Sequence, residues 1–529
     1  MPHGAEGTPG QFGWMDGIEA NKLDKSEASS TYAPVGIAVT GVEATDTAAI
    51  QAAHDALPAR GGLIQLRAGV YAITAGGLAF TKQVTLVGAG GTLSGDGGTT
   101  PPRALTTLTY AYATGTPITL SAPGSILKDF ALVNNAGATP TAGSGIDATA
   151  SGNSGSQFRM VGVTVLGFWN NVAISGVYYM IDSCHFYDAV NWGVFAATSS
   201  AAYYDHGDQG IINCVFVGLT TTRSGAAAVR WESGGGLRFT GNKINGLTQP
   251  GNASVGSWVV GLDACVADGV STSVLVVTGN SIEACSGQCV LVHQKGTTGT
   301  FSKVVVVGNE LAISGTALWL DCTTAGQVSD VLFSNNVITD ALMVWARRVK
   351  GLVIGANRLI RWTSNAIRID VGCSDYQIEM PHTTGAGILL SDASVDDNTH
   401  NVAARINHHY VREIPTTTSP TVFTPLYKFS LVAYQSAIIN VRLVGTVSTV
   451  GTFAIDATRL LTRNASGNVV LTTIGTDTTN GGAVQFAFDV ASVAGEVLIK
   501  VASPLATSND VAGIATVKLD GSVNTVTKS

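Results

Sequence analysis

Short runs of alternating aliphatic and polar residues, each broken by glycine or asparagine, recur through the middle of the chain. The recurring phrase is aliphatic-x-aliphatic-x-Gly/Asn-Asn-x-aliphatic, and its asparagines are Asn213, Asn242, Asn280, Asn309, Asn336 and Asn357. A repeat of roughly 20 to 50 residues indicates stacked units that cannot bury their apolar faces alone. A period of two and many β-branched residues indicate strands, so the pattern predicts the coils of a parallel β-helix, with strands about 4.8 Å apart.

The asparagine of each repeat suits two roles in such a coil. It tolerates the left-handed bend between two strands, and its side chain can hydrogen-bond along a ladder of like residues. The unequal spacing of the asparagines fits this fold, because insertions can leave a coil as loops without disturbing the stack. We expect the β-helix to occupy residues 31–390.

One helix is predicted near the start of the coils, over residues 46–57, where it would cap the open end of the stack. Asp46 and Thr47 are its N-cap candidates. Its apolar stripe is Ala49, Ile50, Ala53 and Leu57.

The two ends of the chain differ from its middle. Residues 1–30 are rich in glycine and weakly patterned, and we interpret them as an arm whose order depends on a partner. Residues 391–411 are polar and irregular and are interpreted as a linker. Over residues 412–529 the asparagine repeats give way to alternating strands and turns such as ASGN and TNGG, which predict an antiparallel β-sandwich of jelly-roll type. The expected fold class is all-β.

The string DTAAIQAAHDALPARGGLIQLRAGVYAI, at residues 46–73, resembles the opening motif of the pectate-lyase-like right-handed parallel β-helix proteins. A β-helix followed by a β-sandwich is similar to the layout of bacteriophage tailspikes. This resemblance implies a homotrimer, a virion-attachment arm at residues 1–30 that binds phage tail or baseplate proteins, and a C-terminal domain for trimerisation or receptor binding. It also implies a place in the virion tail.

Composition narrows the function further. A net charge of −7 and a pI near 5.7 argue against nucleic acid or an anionic membrane as the main partner. The chain has no apolar run long enough for membrane insertion and no classical secretion signal, which fits production in the host cytoplasm. Seven cysteines, an odd number, are expected to be free and buried. No metal or cofactor is expected, since Cys285 and Cys289 lack a second pair at zinc-site spacing.

Strand alternation divides the segments that follow the asparagine turns into inward and outward residues. The inward set is Val229, Trp231, Val260, Leu262, Val290, Val292, Leu318, Leu320, Val344, Ile367 and Ile369. One predicted outward column is Glu232, Asp263, His293, Asp321, Arg347 and Asp370. The predicted column beside it is Arg230, Gly261, Leu291, Trp319, Trp345 and Arg368. Ionisable groups and tryptophans would therefore line one face of the stack.

Such a face suits polysaccharide chemistry, because inverting glycoside hydrolases hold two carboxyls about 6.5–9.5 Å apart. Two rungs would place Asp263 and Asp321 roughly 9.5 Å apart, with His293 between them. The candidate catalytic residues are Asp263, Asp321, Glu232 and His293. The candidate substrate-binding residues are Trp319 and Trp345, whose rings could stack on sugars, Arg347 and Arg368, which could pair with uronic acid carboxylates, and Asp370.

The same column is also compatible with a contact between protomers or with a plain solvated face. The leading hypothesis is a tailspike or receptor-binding protein that binds a bacterial surface polysaccharide during adsorption; cleavage is an open question, with hydrolysis favoured over lyase chemistry. The alternative is a non-catalytic structural or adhesive tail protein that uses the β-helix as a rigid trimeric spacer. A third hypothesis is a secreted bacterial polysaccharide lyase or hydrolase.

Overall fold

A computed structural model describes the chain from residue 36 onward, in segments. The segments are 36–90, 105–149, 155–197, 208–218, 225–232, 235–245, 258–294, 296–312, 314–324, 327–361, 366–379, 382–384, 387–392, 407–414, 424–430, 436–447, 451–463, 469–473, 478–480, 485–490, 496–502, 511–521 and 525–528. The predicted arm at residues 1–30 lies outside the described residues. Within these segments the chain forms one helix and 48 strands, so the described part is almost entirely β.

Helix α1 spans Glu43–Asp55, so it begins three residues before the predicted start. Its N-cap is Val42, which makes no side-chain capping bond. The predicted N-cap Asp46 lies instead inside the first turn, fully buried. Its carboxylate accepts hydrogen bonds from the backbone N–H groups of Thr40, Gly41 and Ala72 at 2.9, 3.0 and 3.1 Å. Asp46 therefore ties the helix to the preceding loop and to the following strand rather than capping it.

The buried face of α1 is formed by Asp46, Ile50 and His54, and Leu57 is buried just after the helix. Ala49, predicted within the apolar stripe, is exposed. His54 replaces it on the inner face because its ring packs on Phe80, with centroids 5.1 Å apart. Its Nε2 also accepts a hydrogen bond from the backbone N–H of Lys82 at 3.1 Å. A polar residue that finds partners inside can thus displace an alanine from a helix stripe.

Three parallel sheets wind through the middle of the chain, and each coil contributes one strand to each sheet. Sheet I contains β1 Gly36–Ile37, β2 Gly62–Leu66, β5 Val84–Val87, β8 Ile126–Lys128, β11 Arg159–Val161, β14 Met180–Asp182, β17 Asp208–Ile212, β20 Gly235–Thr240, β23 Ser271–Thr278, β26 Thr300–Phe301, β27 Val304–Val307, β30 Val328–Ser334, β33 Val349–Ile354 and β36 Gln377–Ile378. Sheet II contains β3 Gly69–Ile73, β6 Thr106–Tyr110, β9 Ala131–Asn134, β12 Thr164–Leu166, β15 His185–Tyr187, β18 Val215–Val217, β21 Lys243–Asn245, β24 Ser281–Glu283, β28 Glu310–Ala312, β31 Val337–Thr339, β34 Arg358–Ile360 and β37 His382–Thr384. The parallel strands of sheet III are β4 Leu78–Phe80, β7 Ile118–Leu120, β10 Ser144–Ala148, β13 Asn170–Ser175, β16 Trp192–Ala197, β19 Ala227–Trp231, β22 Val260–Val266, β25 Gln288–Gln294, β29 Thr316–Asp321, β32 Leu342–Arg347, β35 Ile367–Ile369 and β38 Gly387–Asp392. This topology is a parallel β-helix, as the repeat predicts.

The core runs along the axis of the coils as rows of like residues. In sheet III the inward row passes through Val229, Leu262, Val290, Leu318, Val344 and Ile367, which pair rung by rung. Every residue of the predicted inward set is buried. Aromatic residues stack in the same way: Phe186 and Phe216 on neighbouring rungs lie 4.8 Å apart and nearly parallel. Each coil thus covers the apolar face of the next, and burial is shared along the whole stack.

A buried asparagine ladder lies at the bend between sheets I and II. From the second asparagine of the ladder onward, the side-chain oxygen accepts hydrogen bonds from the backbone N–H and the side-chain amide of the asparagine one coil before. The ladder residues are Asn242, Asn280, Asn309, Asn336 and Asn357. Each side-chain amide also donates to a backbone carbonyl of the preceding coil, at 2.9–3.1 Å. The expected ladder is therefore present, with its buried polar groups paired.

Asn213 is not part of this ladder, although the repeat pattern groups it with the others. It has a φ of 53° and occupies the left-handed position, which in later coils is filled by Gly241, Gly279 and Gly308. Cys214 stands at the ladder position, and its N–H donates to Asn242 Oδ1 at 2.9 Å. The left-handed bend and the ladder position are thus occupied by two adjacent residues with different roles.

The C-terminal strands are antiparallel and belong to two sheets. Sheet III is extended beyond β38 by β48 Thr525–Lys528, β40 Thr424–Ser430, β46 Glu496–Ala502 and β45 Gln485–Val490. The other sheet contains β39 Asn407–Ile414, β47 Val511–Gly521, β41 Ser436–Val447, β42 Gly451–Arg463, β43 Val469–Thr473 and β44 Thr478–Asn480. Strands β38 and β39 both extend into the predicted linker 391–411. Face-to-face packing as a sandwich remains a prediction.

All seven cysteines are free and buried, as predicted. Among the described residues, no helix has the length and apolar character needed to span a membrane.

Candidate functional site

The outward residues of sheet III form two columns, one residue per coil in each. The first column, read from the strand register, is Phe195, Arg230, Asp263, Leu291, Trp319, Trp345 and Arg368. The second column is Glu232, Cys265, His293, Asp321, Arg347 and Asp370. Its first and last residues are placed by extending the register of the neighbouring pairs. We call these two columns together the sheet III row. Its seven strands, β16 to β35, span roughly 29 Å at about 4.8 Å per rung.

The register corrects the predicted columns at one coil. Asp263 pairs with Leu291 and Arg230, so it belongs to the first column and not beside His293. Gly261 is buried against Cys289 and faces neither column. The other predicted assignments, from His293 to Asp370 and from Leu291 to Arg368, agree with the structure.

This correction weakens the predicted pair of catalytic carboxyls. Asp263 and Asp321 are two rungs apart and also two residues apart along the strand direction. The rung spacing and the rise per residue place their backbones roughly 12 Å apart, farther than the roughly 9.5 Å expected from two rungs alone.

Three of the candidate residues, Glu232, Asp263 and His293, form a closed network with Arg230 on the coils of β19, β22 and β25. Arg230 donates to Glu232 Oε1 from Nε at 3.0 Å and from Nη2 at 2.8 Å, and its Nη1 pairs with Asp263. His293 Nε2 lies 2.7 Å from the other oxygen of Asp263. All four side chains are largely buried. Two bases thus neutralise two acids beneath the surface of the row.

The ionisation of this network follows from its contacts. Burial alone would raise the pKa of Asp263, but the hydrogen bond with His293 and the charge of Arg230 outweigh burial and lower that pKa. Burial alone would lower the pKa of His293, but the hydrogen bond with Asp263 leads the contacts that raise it to about 9. His293 is therefore protonated at neutral pH and donates to Asp263. A general acid for glycoside hydrolysis needs a carboxyl with a raised pKa, and Asp263 has the opposite.

The tryptophans of the first column stack on each other along the axis. The rings of Trp319 and Trp345 are 4.6 Å apart with 6° between their planes, and Arg368 Cζ lies 4.3 Å from the centre of the Trp345 ring. Both faces of Trp345 are therefore covered. Face-on stacking of a sugar on Trp345 would therefore require Trp319 or Arg368 to move.

Asp370 holds the end of this stack. It accepts hydrogen bonds from Trp345 Nε1 at 2.7 Å and from Arg368 Nε at 2.9 Å. In the second column Asp321 forms an ion pair with Arg347. Two buried donors of this part of the row, Trp319 Nε1 and Arg347 Nε, have no hydrogen-bond acceptor within the described residues. This part of the row is rigid but incompletely paired.

Sequence reasoning missed the first rung of the row. Trp192 and Phe195 of β16 are half-buried on the outer face and stack on each other, with centroids 4.4 Å apart. Phe195 pairs in register with Arg230. The signal was present in the alternation of WGVFAA, but this strand precedes the asparagine repeats.

No protein-family model and no curated protein sequence matches the chain. Among solved structures it is similar to the tailspike protein of E. coli bacteriophage HK620 in complex with pentasaccharide, at 12% identity and a TM-score of 0.43, over 91% of each chain. It is also similar to the tailspike protein of Acinetobacter phage vB_ApiP_P1, at 13% identity and a TM-score of 0.42, over 94% of this chain and 87% of that one. A third similar structure is tailspike protein gp49 of Acinetobacter baumannii bacteriophage Fri1, a capsular polysaccharide depolymerase, at 12% identity and a TM-score of 0.39, over 91% of this chain and 84% of that one. The strand register of the chain itself establishes its fold as a parallel β-helix.

Proposed function

We propose that this chain is a tailspike-type receptor-binding protein that holds a bacterial surface polysaccharide along the sheet III row. The observation that carries the proposal is the row itself: aromatic and charged side chains stay in register over seven strands. A linear polymer needs a long site of this kind, in which successive sugar units meet successive rungs. On the same coils, one outward column of sheet I is aliphatic and contains Val276, Val305, Leu332 and Val353.

The side chains at the Trp345 end of the row hold one another in place, which favours a binding site over a plain solvated face. The stacked indoles, the guanidinium of Arg368 and the carboxylate of Asp370 restrain one another before any ligand arrives. Binding then loses little side-chain entropy, which is the usual cost of forming a polar interface. The sugars would meet ring edges and charged groups, since the faces of Trp345 are occupied.

The geometry supports binding more strongly than cleavage. Asp263 lies in an ion-paired network with a lowered pKa, so it is not the protonated carboxyl that a general acid must be. We therefore infer that the row binds the polymer without using Asp263 as a general acid.

Purified protein incubated with capsule and lipopolysaccharide from candidate hosts tests both statements. Binding is measured by isothermal titration calorimetry, and cleavage by new reducing ends and by absorbance at 235 nm. Trp345→Ala should weaken binding at least tenfold, while Leu332→Ala on sheet I serves as the control. Equal binding by both variants would contradict the location of the site. New reducing ends that disappear in Asp263→Asn would contradict the assignment of Asp263, and absorbance at 235 nm would point to a lyase.

We also propose that the protein acts as a homotrimer in the virion tail, attached through residues 1–30 to tail or baseplate proteins. The resemblance of the 46–73 motif and the order of coils followed by antiparallel strands support this. The alternative, a rigid spacer whose row is buried between protomers, predicts a trimer that binds no glycan. Light scattering after size-exclusion chromatography, combined with the binding assay, distinguishes the two.

A further inference from the structure

The two ends of the sheet III row differ in how their charges are presented. On β19, β22 and β25, Arg230 and His293 are largely buried against their acidic partners. On β29, β32 and β35, the basic groups lie outermost. Arg347 is 41% exposed against 26% for its partner Asp321, and Arg368 is 41% exposed against 17% for its partner Asp370. A ligand that approaches this end meets guanidinium groups first.

Each of the two guanidinium groups has N–H donors that bond to no described residue. Arg368 uses Nε for Asp370 and its face for the Trp345 ring, and it makes no bond from Nη1 or Nη2 to a described residue. Arg347 pairs with Asp321 through Nη2, and its Nη1 makes no bond to a described residue. Planar guanidinium groups with free donor edges match the two oxygens of a carboxylate.

The register places the two arginines close enough to share one ligand group. Arg347 lies in the second column of β32, and Arg368 lies in the first column of β35 on the next rung. One rung and two residues separate their backbones by roughly 8 Å, which the two long side chains can span from opposite sides of a carboxylate. The nearby acids Asp321 and Asp370 sit lower and leave the outer donors uncovered.

We propose that the bound polysaccharide is acidic, and that a carboxylate of one sugar unit is held between Arg347 and Arg368. This inference rests on the proposed function, because it names the class of polymer that the row selects. The carboxylate sits at the β32–β35 end, while the charge-compensated network around Arg230 faces uncharged parts of the polymer. A neutral polymer would offer no carboxylate to the outward N–H donors that Asp321 and Asp370 leave unused.

The test is a panel of capsular polysaccharides and lipopolysaccharide O-chains, both acidic and neutral, measured by isothermal titration calorimetry. Each acidic polymer is paired with the same polymer after its carboxyl groups are reduced to primary alcohols. We expect the polymers that bind to be acidic and to lose at least tenfold in affinity on reduction. Equal binding of the reduced form, or binding of neutral polymers alone, would overturn the inference while leaving the row as a polysaccharide site. Binding of no polymer at all would count against the proposed function and this inference together.

Matched variants locate the carboxylate. Arg347→Ala and Arg368→Ala should each weaken binding of the acidic polymer about tenfold and reduce the salt dependence of its affinity. In both variants the loss of affinity should be smaller for the carboxyl-reduced form than for the acidic polymer. Arg358→Ala is the control, because Arg358 is exposed in the same coil as Arg368 but lies on sheet II. A loss of equal size in Arg358→Ala would show a general charge effect and refute the placement.

Discussion

Replacing Asn309 by alanine in the middle of the asparagine ladder should destabilise the coils by an amount that can be estimated from the hydrogen bonds. Asn309 Oδ1 accepts from the backbone N–H of Asn280 at 3.0 Å and from its side-chain amide at 2.9 Å. Alanine leaves both donors buried without an acceptor. An orphaned buried donor costs about 1–3 kcal/mol, so the expected loss for two donors is about 2–6 kcal/mol.

Asn242 provides the matched comparison, because it begins the ladder. Its amide donates one coil back and to the next asparagine, as that of Asn309 does. Its oxygen, however, accepts only from the backbone N–H of Cys214, at 2.9 Å. Asn242→Ala therefore orphans one donor instead of two and should cost about 1–3 kcal/mol.

Hydrogen exchange measured by mass spectrometry reports the protection of individual backbone amides. Urea unfolding followed by tryptophan fluorescence reports the free energy of unfolding of the whole protein. Asn309→Ala should accelerate exchange of the backbone N–H of Asn280. Asn242→Ala should accelerate exchange of the backbone N–H of Cys214. The urea midpoint should fall further for Asn309→Ala. Identical midpoints and unchanged protection of the Asn280 amide would refute the view that the ladder pairs otherwise unsatisfied donors.

Three further outcomes follow from the described contacts. The pKa of His293 is about 9 in the folded protein and 6.5 in the unfolded chain, so folding favours the protonated imidazole. The resulting stabilisation is complete below pH 6.5. This contribution, roughly 3 kcal/mol, is lost as pH rises through 9. His293→Gln should therefore make the urea midpoint less dependent on pH between 6.5 and 9. An unchanged pH dependence of the midpoint would contradict the pairing with Asp263. Asp46→Ala should lower the thermal midpoint more than Thr47→Ala, since it orphans three backbone N–H groups, and calorimetry at a fixed scan rate checks this. The proposed trimer should resist SDS at room temperature, and a monomeric mass by light scattering would exclude it.

The sequence predicted the coils well because their signal is periodic and repeated. Alternation alone identified the inward residues, from Val229 to Ile369, and all are buried. Alternation could not set the register of the coil that contains Asp263. Val260, Leu262 and Ala264 all face inward, so a shift of two residues preserves the inside and outside pattern and moves Asp263 by one outward position.

Other differences arose from tertiary contacts that local patterns do not encode. Asp46 resembles an N-cap in sequence, yet its acceptors are used by a loop and by strand β3. Asn213 fits the asparagine repeat, but asparagine also tolerates the left-handed bend, so the repeat could not separate the two adjacent positions. The stacking of Trp319 on Trp345 follows from equal positions on neighbouring rungs, because the rung spacing is close to the distance between stacked rings.

The asparagine ladder and the sheet III row lie on different sides of the same coils. Because the ladder and the core rows maintain the stack, the outward positions of sheet III are released from that task. At the β32–β35 end of the row, Arg347 and Arg368 are therefore exposed positions at which a substitution changes the ligand surface and leaves the core rows intact. A lineage of such proteins could move from one surface glycan to another through single-residue steps, and adaptation to a new host would not require a new fold.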